Sequence, residues 1–386
     1  MRKINFVIFF SIALSVYALI NYYIFIREWE AGGFQSTWRT VYVAAFLLLS
    51  LSFIAGRILE RVSLTWLSST LVLLGSFWLA AMVYFLLFAF AIDILRLCNF
   101  IVPFFPPFVT ENPERTKEVT SFVVVIVVLF IVLGGYLNAR TPRIRTLALT
   151  VAKNGRGMKS LNIVVASDIH LGTIVCKSKL ERIVERINSL NPDLVLLPGD
   201  VVDEDIGPVI RNNLGETLRK IRAPYGVLAI TGNHEYIGGV EPACRYLVDH
   251  GITMLRDMAV KVGDILYVVG REDISIRGFT GKTRKPLQEL MMDVDKSYPV
   301  ILMDHQPFRL AEAETNGVDL QLSGHTHHGQ LWPFNFITKK VYELSWGYKK
   351  KENTHYYVSC GVGTWGPPIR TGNPSEIVTI NVSFTK

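Results

Sequence analysis

The sequence predicts two parts of different class: an N-terminal all-α transmembrane bundle, followed by an α/β domain. Three observations predict this. Four long apolar runs precede residue 140, short apolar strands alternate with amphipathic helices after residue 141, and five of those strands end in Asp, Asn or His. Apolar residues make up 50% of the 386 and charged residues only 19%, with a mean hydropathy of +0.30. That balance is low in charge for a wholly soluble chain. The net charge of +7 gathers beside the apolar runs, and no base-reading motif is present, so no nucleic-acid partner is expected. Cys98, Cys176, Cys244 and Cys360 are widely spaced without a CxxC pair, which argues against a disulfide framework or a thiolate metal site.

The first apolar run, Phe6 to about Tyr23, follows Arg2 and Lys3. It is long for a signal-peptide core, shows no clear small-residue cleavage site and is followed by further spans, so an uncleaved helix is expected. The other runs are about Val41 to Ile58, Trp66 to Ile92 and Ser121 to Tyr136. Each approaches or exceeds the roughly 18 residues read as a membrane span. Gly75, Gly134 and Gly135 are candidate points of close helix approach. Asp93, at the end of the third run, reads as an interfacial residue. Pro103, Pro106 and Pro107 exclude a continuous helix between the third and fourth runs. Four spans put Arg2, Lys3, Arg57, Arg61, Arg140, Arg143 and Arg145 on one side, against Arg27, Arg39, Arg96, Arg115 and Lys117 on the other. The excess places the N-terminus and everything after Arg140 in the cytoplasm.

The expected division is 1–140 for the four-helix transmembrane region, 141–158 for a linker and 159–386 for the α/β domain. Strands are expected over Leu161–Ala166, Asp193–Leu197, Gly226–Ile230, Ile265–Val269, Pro299–Met303, Val318–Leu322, Tyr356–Ser359 and Glu376–Val382. Leu180, Ile183, Val184 and Ile187 share one face of a helix over Lys177–Leu190; further helices are expected over Val209–Ile221, Glu241–His250 and Phe308–Thr315.

Chemistry concentrates at the strand ends. The five tips read Asp168-Ile-His170, Gly199-Asp200-Val-Val-Asp203, Gly232-Asn233-His234-Glu235, Asp304-His305-Gln306-Pro307 and Gly324-His325-Thr-His327-His328. Singly, each could be a turn, a cap or a satisfied core histidine. Five in succession argue for one crevice at the carboxyl ends of the strands, where α/β folds bind ligands. The candidate ligands Asp168, His170, Asp200, Asn233, His305, His325 and His327 are oxygen and nitrogen donors without thiolate. That set suits two divalent ions of Mn, Fe, Zn or Co better than copper(I) or an all-oxygen Ca or Mg site. Two carboxylates leave residual positive charge, which attracts a phosphate and favours a hydroxide nucleophile.

This constellation resembles the calcineurin-like metallophosphoesterase family over roughly residue 160 to the C-terminus. Asp304-His-Gln-Pro, His327-x-Gly329-Gln330 and Gly363-Thr-Trp-Gly-Pro-Pro-Ile-Arg370 further resemble its bacterial membrane-associated branch. The resemblance implies an αββα sandwich and a two-metal phosphoester hydrolase. By position, Asp168, His170 and His327 hold one metal, Asn233, His305 and His325 the other, and Asp200 bridges them. His234 is implied as the catalytic acid and, with Asn233, as a binder of substrate phosphate. The branch commonly has Gly where this chain has His328, a bulkier group expected beside the metals. Arg370 is expected to meet substrate phosphate or to form a surface ion pair.

The resulting expectation is a membrane-anchored enzyme, in a bacterial inner membrane with its catalytic domain cytoplasmic. It cleaves a phosphoester or pyrophosphate by attack of metal-bound hydroxide. Tethering favours a lipid-linked substrate over a soluble phosphorylated small molecule; the branch resemblance suggests a lipid pyrophosphate such as UDP-diacylglucosamine. The competing reading is a non-catalytic membrane sensor or scaffold with a vestigial metal site, which the intact Asp200 and His234 disfavour. A four-span transporter with a regulatory domain would call for charged residues inside the spans, and these are missing.

Overall fold

The computed structural model describes residues 2–32 and 36–385. The side chains of Arg2 and Lys3, which enter the orientation argument, lie outside the described residues. The chain divides into two compact units at Gly135/Tyr136.

The N-terminal unit is helical: α1 (Arg2–Ala31), α2 (Ser36–Val62), α3 (Trp66–Ile101), the short α4 (Pro107–Thr110) and α5 (Pro113–Arg140). Four of these helices are long and apolar enough to cross a membrane. All outrun the apolar runs that announce them, because polar residues at the ends continue the helix. Thr65 starts α3 with a capping box, its side chain accepting from Ser68 N while Ser68 Oγ accepts from Thr65 N. Ile24, Phe46, Trp78 and Met82 form a shared buried cluster, while Leu19, Leu48 and Phe130 face outward. Gly75 does sit at a close approach: a Cβ there would overlap the backbone of Phe53. Gly134 does not, with open space where its Cβ would stand. Asp93 accepts from Tyr23 Oη and Arg27 Nη2, both at 2.6 Å, forming a polar knot at one end of the spans. Within the proline-rich connection, Asn99 Oδ1 accepts from Phe104 N and Phe105 N at 2.8 and 2.7 Å.

Among the described residues, the C-terminal unit contains twelve strands. They are β1 (Arg143–Val151), β2 (Ser160–Val165), β3 (Leu194–Leu197), β4 (Val227–Ala229), β5 (Thr253–Met254), β6 (Met258–Val262), β7 (Leu266–Gly270), β8 (Val300–Met303), β9 (Leu320–Ser323), β10 (Gly347–Lys351), β11 (Thr354–Val358) and β12 (Glu376–Phe384). One six-stranded sheet runs β1-β12-β2-β3-β4-β5 and the other β10-β11-β9-β8-β7-β6. Leu161, Ile163 and Val165 alternate inward and pack with Leu266, Val268, Ile301, Met303 and Leu322 of the second sheet. Val164 points the other way, against the helix α6 (Lys177–Ser189) through Ile183 and Ile187. On the far side, Leu287, Leu290 and Ala313 cover the outer face of β7 and β8. The layers are therefore helices, sheet, sheet, helices: the αββα sandwich, joined to four long apolar helices.

Two expectations are corrected here. The stretch 141–158 is not simply a linker, because 143–151 form edge strand β1, paired in parallel with β12 and burying Leu149 and Val151 between the sheets. The helix expected over Val209–Ile221 is two short ones, α7 (Ile206–Arg211) and α8 (Leu214–Leu218), broken where Asn213 takes a left-handed φ of 50°. Asn tolerates that conformation better than most residues, and it ends a helix. The remaining helices are α9 (Asn233–Gly238), α10 (Val240–Asp249), α11 (Ile276–Thr280), α12 (Leu287–Leu290), α13 (Ala311–Thr315) and α14 (Phe334–Val341).

Candidate metal centre

The five polar tips come from two sheets rather than one. Strands β2, β3 and β4 are parallel neighbours in the first sheet, as are β8 and β9 in the second. Their carboxyl ends meet at one edge of the sandwich. There Asp168 Oδ1 accepts from His325 N at 2.8 Å, and His305 Nδ1 lies 2.7 Å from Pro198 O, so each tip of one sheet is tied to a tip of the other.

The local backbone is unusual. Asp168, His170, Asp200, His325 and His327 all have φ between 44° and 71°. Side chains rarely accept that region, and clusters of it mark sites where the surroundings over-determine the backbone. Glycines make the approach possible. A Cβ on Gly324 would overlap Ser167 Oγ and Asp168 Oδ2, and one on Gly199 would come within 2.6 Å of His305 Nδ1.

The donor atoms form two groups around one carboxylate. In the first, His170 Nε2 and His327 Nε2 face each other at 3.0 Å, with Asp168 Oδ1 3.6 Å from His327 Nε2. In the second, Asn233 Oδ1 lies 2.8 Å from His325 Nδ1 and 3.3 Å from His305 Nε2. Asp200 stands between them: its Oδ2 is 3.1 Å from His305 Nε2 and 3.9 Å from His170 Nε2, while Oδ1 accepts from His234 N at 2.9 Å. All seven expected ligand residues are thus brought together. The ligand-bearing atoms of Asp168, His170 and His327 lie within 4.8 Å of one another, as do those of Asp200, His305 and His325.

The residues fit divalent ions. Two ring nitrogens 3.0 Å apart can share one proton at most. The same separation spans two bonds of about 2.1 Å to one ion at roughly a right angle. His305 can donate Nδ1–H to Pro198 O; burial opposes its charge, but Asp200 raises its imidazolium well above the ordinary value, so an arriving ion would displace the proton on Nε2. Burial, then the neighbouring His305 charge, pushes the His325 imidazolium down to about 3. Burial, then His170 and Arg370, lowers that of His327 well below its ordinary value. Both rings are neutral at physiological pH, as ligation requires. Asp200 stays ionised despite complete burial, because His305 and His234 hold its carboxyl well below the usual range.

Three residues given no role from sequence support the centre. Asp203 Oδ1 faces His234 Nδ1 at 3.0 Å and His170 Nδ1 at 3.5 Å, orienting both rings with one carboxylate. Its spacing three residues after Asp200 was the available signal. Glu235 accepts from Asp200 N, Val202 N and Gly232 N at 3.2, 2.9 and 2.7 Å, fastening the tip of β3 to that of β4. Gln330 accepts from Trp365 N at 3.0 Å and donates to Trp365 O and Pro367 O at 2.9 and 3.0 Å. It thereby places the Trp365 ring edge-on to His234, with centroids 6.0 Å apart.

Two expectations fail. Arg370 neither reaches solvent nor forms an ion pair: it is 0% exposed, and its guanidinium donates to the carbonyls of Cys360, Gly361 and Gly363. It also lies 3.1 Å from His327 Nδ1. His328 does not crowd the ligands: it turns aside, its Nδ1 3.1 Å from Ser345 Oγ and its ring against Trp346. Its left-handed φ of 46° aims it there.

A two-sheet sandwich with paired Asp and His donor groups at its strand ends is the framework of a metal-dependent phosphoesterase. The chain belongs to the calcineurin-like metallophosphoesterase family, a class of phosphoric ester hydrolases. The calcineurin-like phosphoesterase profile matches residues 161–329. A metallophosphoesterase of Aquifex aeolicus is 31% identical over 261 residues, covering 65% of this chain and 97% of the relative. One from Helicobacter pylori is 34% identical over 258 residues, 64% of this chain. The match spans 66% of that relative, just short of two thirds of its length. A Danio rerio transmembrane protein with a metallophosphoesterase domain is 33% identical over 278 residues, 68% of this chain and 62% of the relative. In this chain, four helices are long and apolar enough to cross a membrane.

Proposed function

We propose that the chain is a membrane-anchored, two-metal phosphoesterase that hydrolyses a phosphoester or pyrophosphate bond, with a lipid-linked substrate. One observation carries the reading: two donor groups from two sheets converge on the two sides of the Asp200 carboxylate. Asp168, His170 and His327 would hold one ion, Asn233, His305 and His325 the other, with Asp200 shared. When bound, the pair supplies Lewis-acid charge at phosphorus and activates the attacking water.

The protein's own groups do the rest. His234 sits beside the donors but outside the two sets, its ring perpendicular to that of His170 at 4.5 Å between centroids. Burial opposes its charge, yet Asp200 and Asp203 raise its imidazolium to about 9. It is therefore protonated at neutral pH and can give its proton to the leaving oxygen. Asp203 holds the ring while that proton leaves. Asn233, at the start of α9, presents its side chain beside His234 and can steer a phosphate oxygen. The arginine and lysine excess supports orientation of the domain to the cytoplasm, and the bacterial relatives support residence in a bacterial inner membrane.

The test is hydrolysis by the detergent-purified full chain. After chelation, Mn, Zn, Fe, Co or Mg is restored singly and a p-nitrophenyl phosphate monoester and diester are offered, with His234→Ala alongside. Turnover that requires both metal and His234 supports the reading. A folded protein that binds no metal sinks it.

A further inference from the structure

We propose that helix α14 is a membrane-seating element, its outer face lying in the lipid headgroup layer directly beside the catalytic centre. α14 is amphipathic in the inverse sense for a soluble domain. Successive helix positions turn by about 100°, which places Phe334, Ile337 and Val341 within roughly a 60° arc. These are 39%, 59% and 57% exposed, next to Phe336 at 60%, and the preceding Trp332 is 50% exposed. None of the eight residues is buried; Asn335 and Thr338, both polar, are the ones turned toward the domain. An exposed aromatic and aliphatic face of this kind marks an interaction site.

The charges specify the occupant. Lys340, about 60° beyond Ile337, borders the apolar arc, while Lys339 lies on the opposite side towards His328; neither has an ion-pair partner among the described residues, whereas nearby Lys349 and Lys351 are both held by Glu343. Exposed Trp and Phe with an unpaired lysine beside them suit the boundary between acyl chains and anionic headgroups. A protein partner would need a complementary acidic and apolar surface, but four apolar helices of the same chain already supply a bilayer.

The helix is coupled to the centre at both ends. Its first turn packs on Gly329, two residues from His327, so closely that a Cβ there would overlap the Phe334 and Asn335 backbone. At its far end Tyr342 packs on the His325 ring, with centroids 6.1 Å apart. The segment joining two candidate ligands to α14 thus holds the crevice at the depth of the headgroups, where a phosphate linked to lipid lies.

The proposal rests on the four helices anchoring the chain in a bilayer, and the test separates the two. The full chain, with exposed Cys98 and Cys176 changed to Ser, is reconstituted in phosphatidylcholine–phosphatidylglycerol nanodiscs. An environment-sensitive fluorophore is attached at Ile337→Cys, at Lys282→Cys on an exposed loop, or at Leu48→Cys on the outer face of α2. The label at 337 should be quenched by lipids doxyl-labelled near the headgroup and be at least fivefold less sensitive to aqueous iodide than that at 282. Loss of quenching at 48 by lipids doxyl-labelled deep in the acyl chain would refute the anchoring itself. With 48 quenched, iodide sensitivity at 337 equal to that at 282 overturns the proposal. Protection at 337 from iodide without doxyl quenching overturns it too, assigning the face to a protein or a second copy.

Discussion

Replacing Arg370 separates a structural role from a substrate-binding one. In Arg370→Leu the side chain keeps bulk but loses every donor. Cys360 O and Gly363 O, which accept from Nη2 at 2.7 and 2.8 Å, then lose their partner in a region closed to water. Gly361 O does not, because it also accepts from Glu376 N at 3.1 Å. Two orphaned buried carbonyls at about 1–3 kcal/mol each give a loss of roughly 2–6 kcal/mol. Removing a buried charge offsets part of it, so about 2–5 kcal/mol is expected. For a domain of this size that is a fall in Tm of roughly 5–15 °C. Arg370→Lys keeps the charge but loses the Nε donor to Gly363 O at 3.2 Å and the planar geometry that sets Nη2 between the carbonyls, and should fall in between. Thermal unfolding of the purified chain, with and without metal, measures this, and metal titration should show weaker binding at the site containing His327. A Leu variant with unchanged Tm and metal affinity but a raised KM would refute the reasoning, and would put Arg370 on the substrate.

Other perturbations address the centre and the bundle. Asp203→Asn removes the carboxylate shared by His170 and His234, and should weaken metal affinity by about 10–100-fold, with kcat falling as well; isothermal titration and steady-state kinetics check both. Because His234 must be protonated to act, kcat is expected to fall as pH rises through about 9, with bound cations moving that limb lower. The sign is the same for stability: an imidazolium raised above its unfolded value near 6.5 stabilises the fold fully below that pH and loses the contribution as pH passes about 9. His234→Asn should abolish the limb along with most of the turnover, and a limb that persists would assign it elsewhere. Gly75→Leu forces the backbones of α2 and α3 apart at Phe53 and should cut the yield of folded protein in detergent, whereas Gly134→Leu, facing open space, should not.

How much was legible follows from how each feature is encoded. The spans and the central strands were, because burial on one or two faces writes a periodicity into neighbouring residues: Leu161, Ile163 and Val165 alternate, and α3 is apolar for most of its length. The convergence of the seven donor residues was also legible, since each follows directly from a strand end. Strand β1 was not. Its burial pattern is exposed over its first four residues, Arg143 to Thr146, and only Leu149 and Val151 enter the core, so its composition reads as a basic connector. Its place depends on pairing with β12, which lies more than 220 residues further on, and no local pattern announces that partnership. Arg370 and His328 were misjudged for the same reason: whether an arginine faces phosphate or three carbonyls is decided by the path of the 360–370 segment, not by its neighbours in sequence.

The polar groups around the centre show why it can be built at all. Five ligand residues in left-handed backbone cost on the order of 1–3 kcal/mol each if nothing constrained them, and buried carboxylates add desolvation. The offset comes largely from groups that are not themselves ligands. Glu235 satisfies three backbone N–H groups at the tips of β3 and β4, Arg370 satisfies the carbonyls behind His327, and Asp168 accepts from His325 N across the two sheets. The bonds of Glu235 to Asp200 N and Val202 N, and of Asp168 to His325 N, join segments more than 30 residues apart, so the donors are positioned before any ion arrives. Burial, and then the Asp200 charge, raises the Glu235 carboxyl to about 7, which means that its ionisation opposes folding at neutral pH while the centre holds no cations. Folded-state stability from this group is full below about 4.5 and falls as pH rises through 7. Dications beside Asp200 would reverse that penalty, so metal should stabilise the chain more at pH 8 than at pH 5. In Glu235→Gln the Glu235 share of that difference should vanish, at the expense of one backbone N–H left facing an amide donor. Thermal unfolding at the two pH values, with and without Mn, decides it: a pH-dependent metal effect unchanged in Glu235→Gln would show that the coupling runs through the histidines alone.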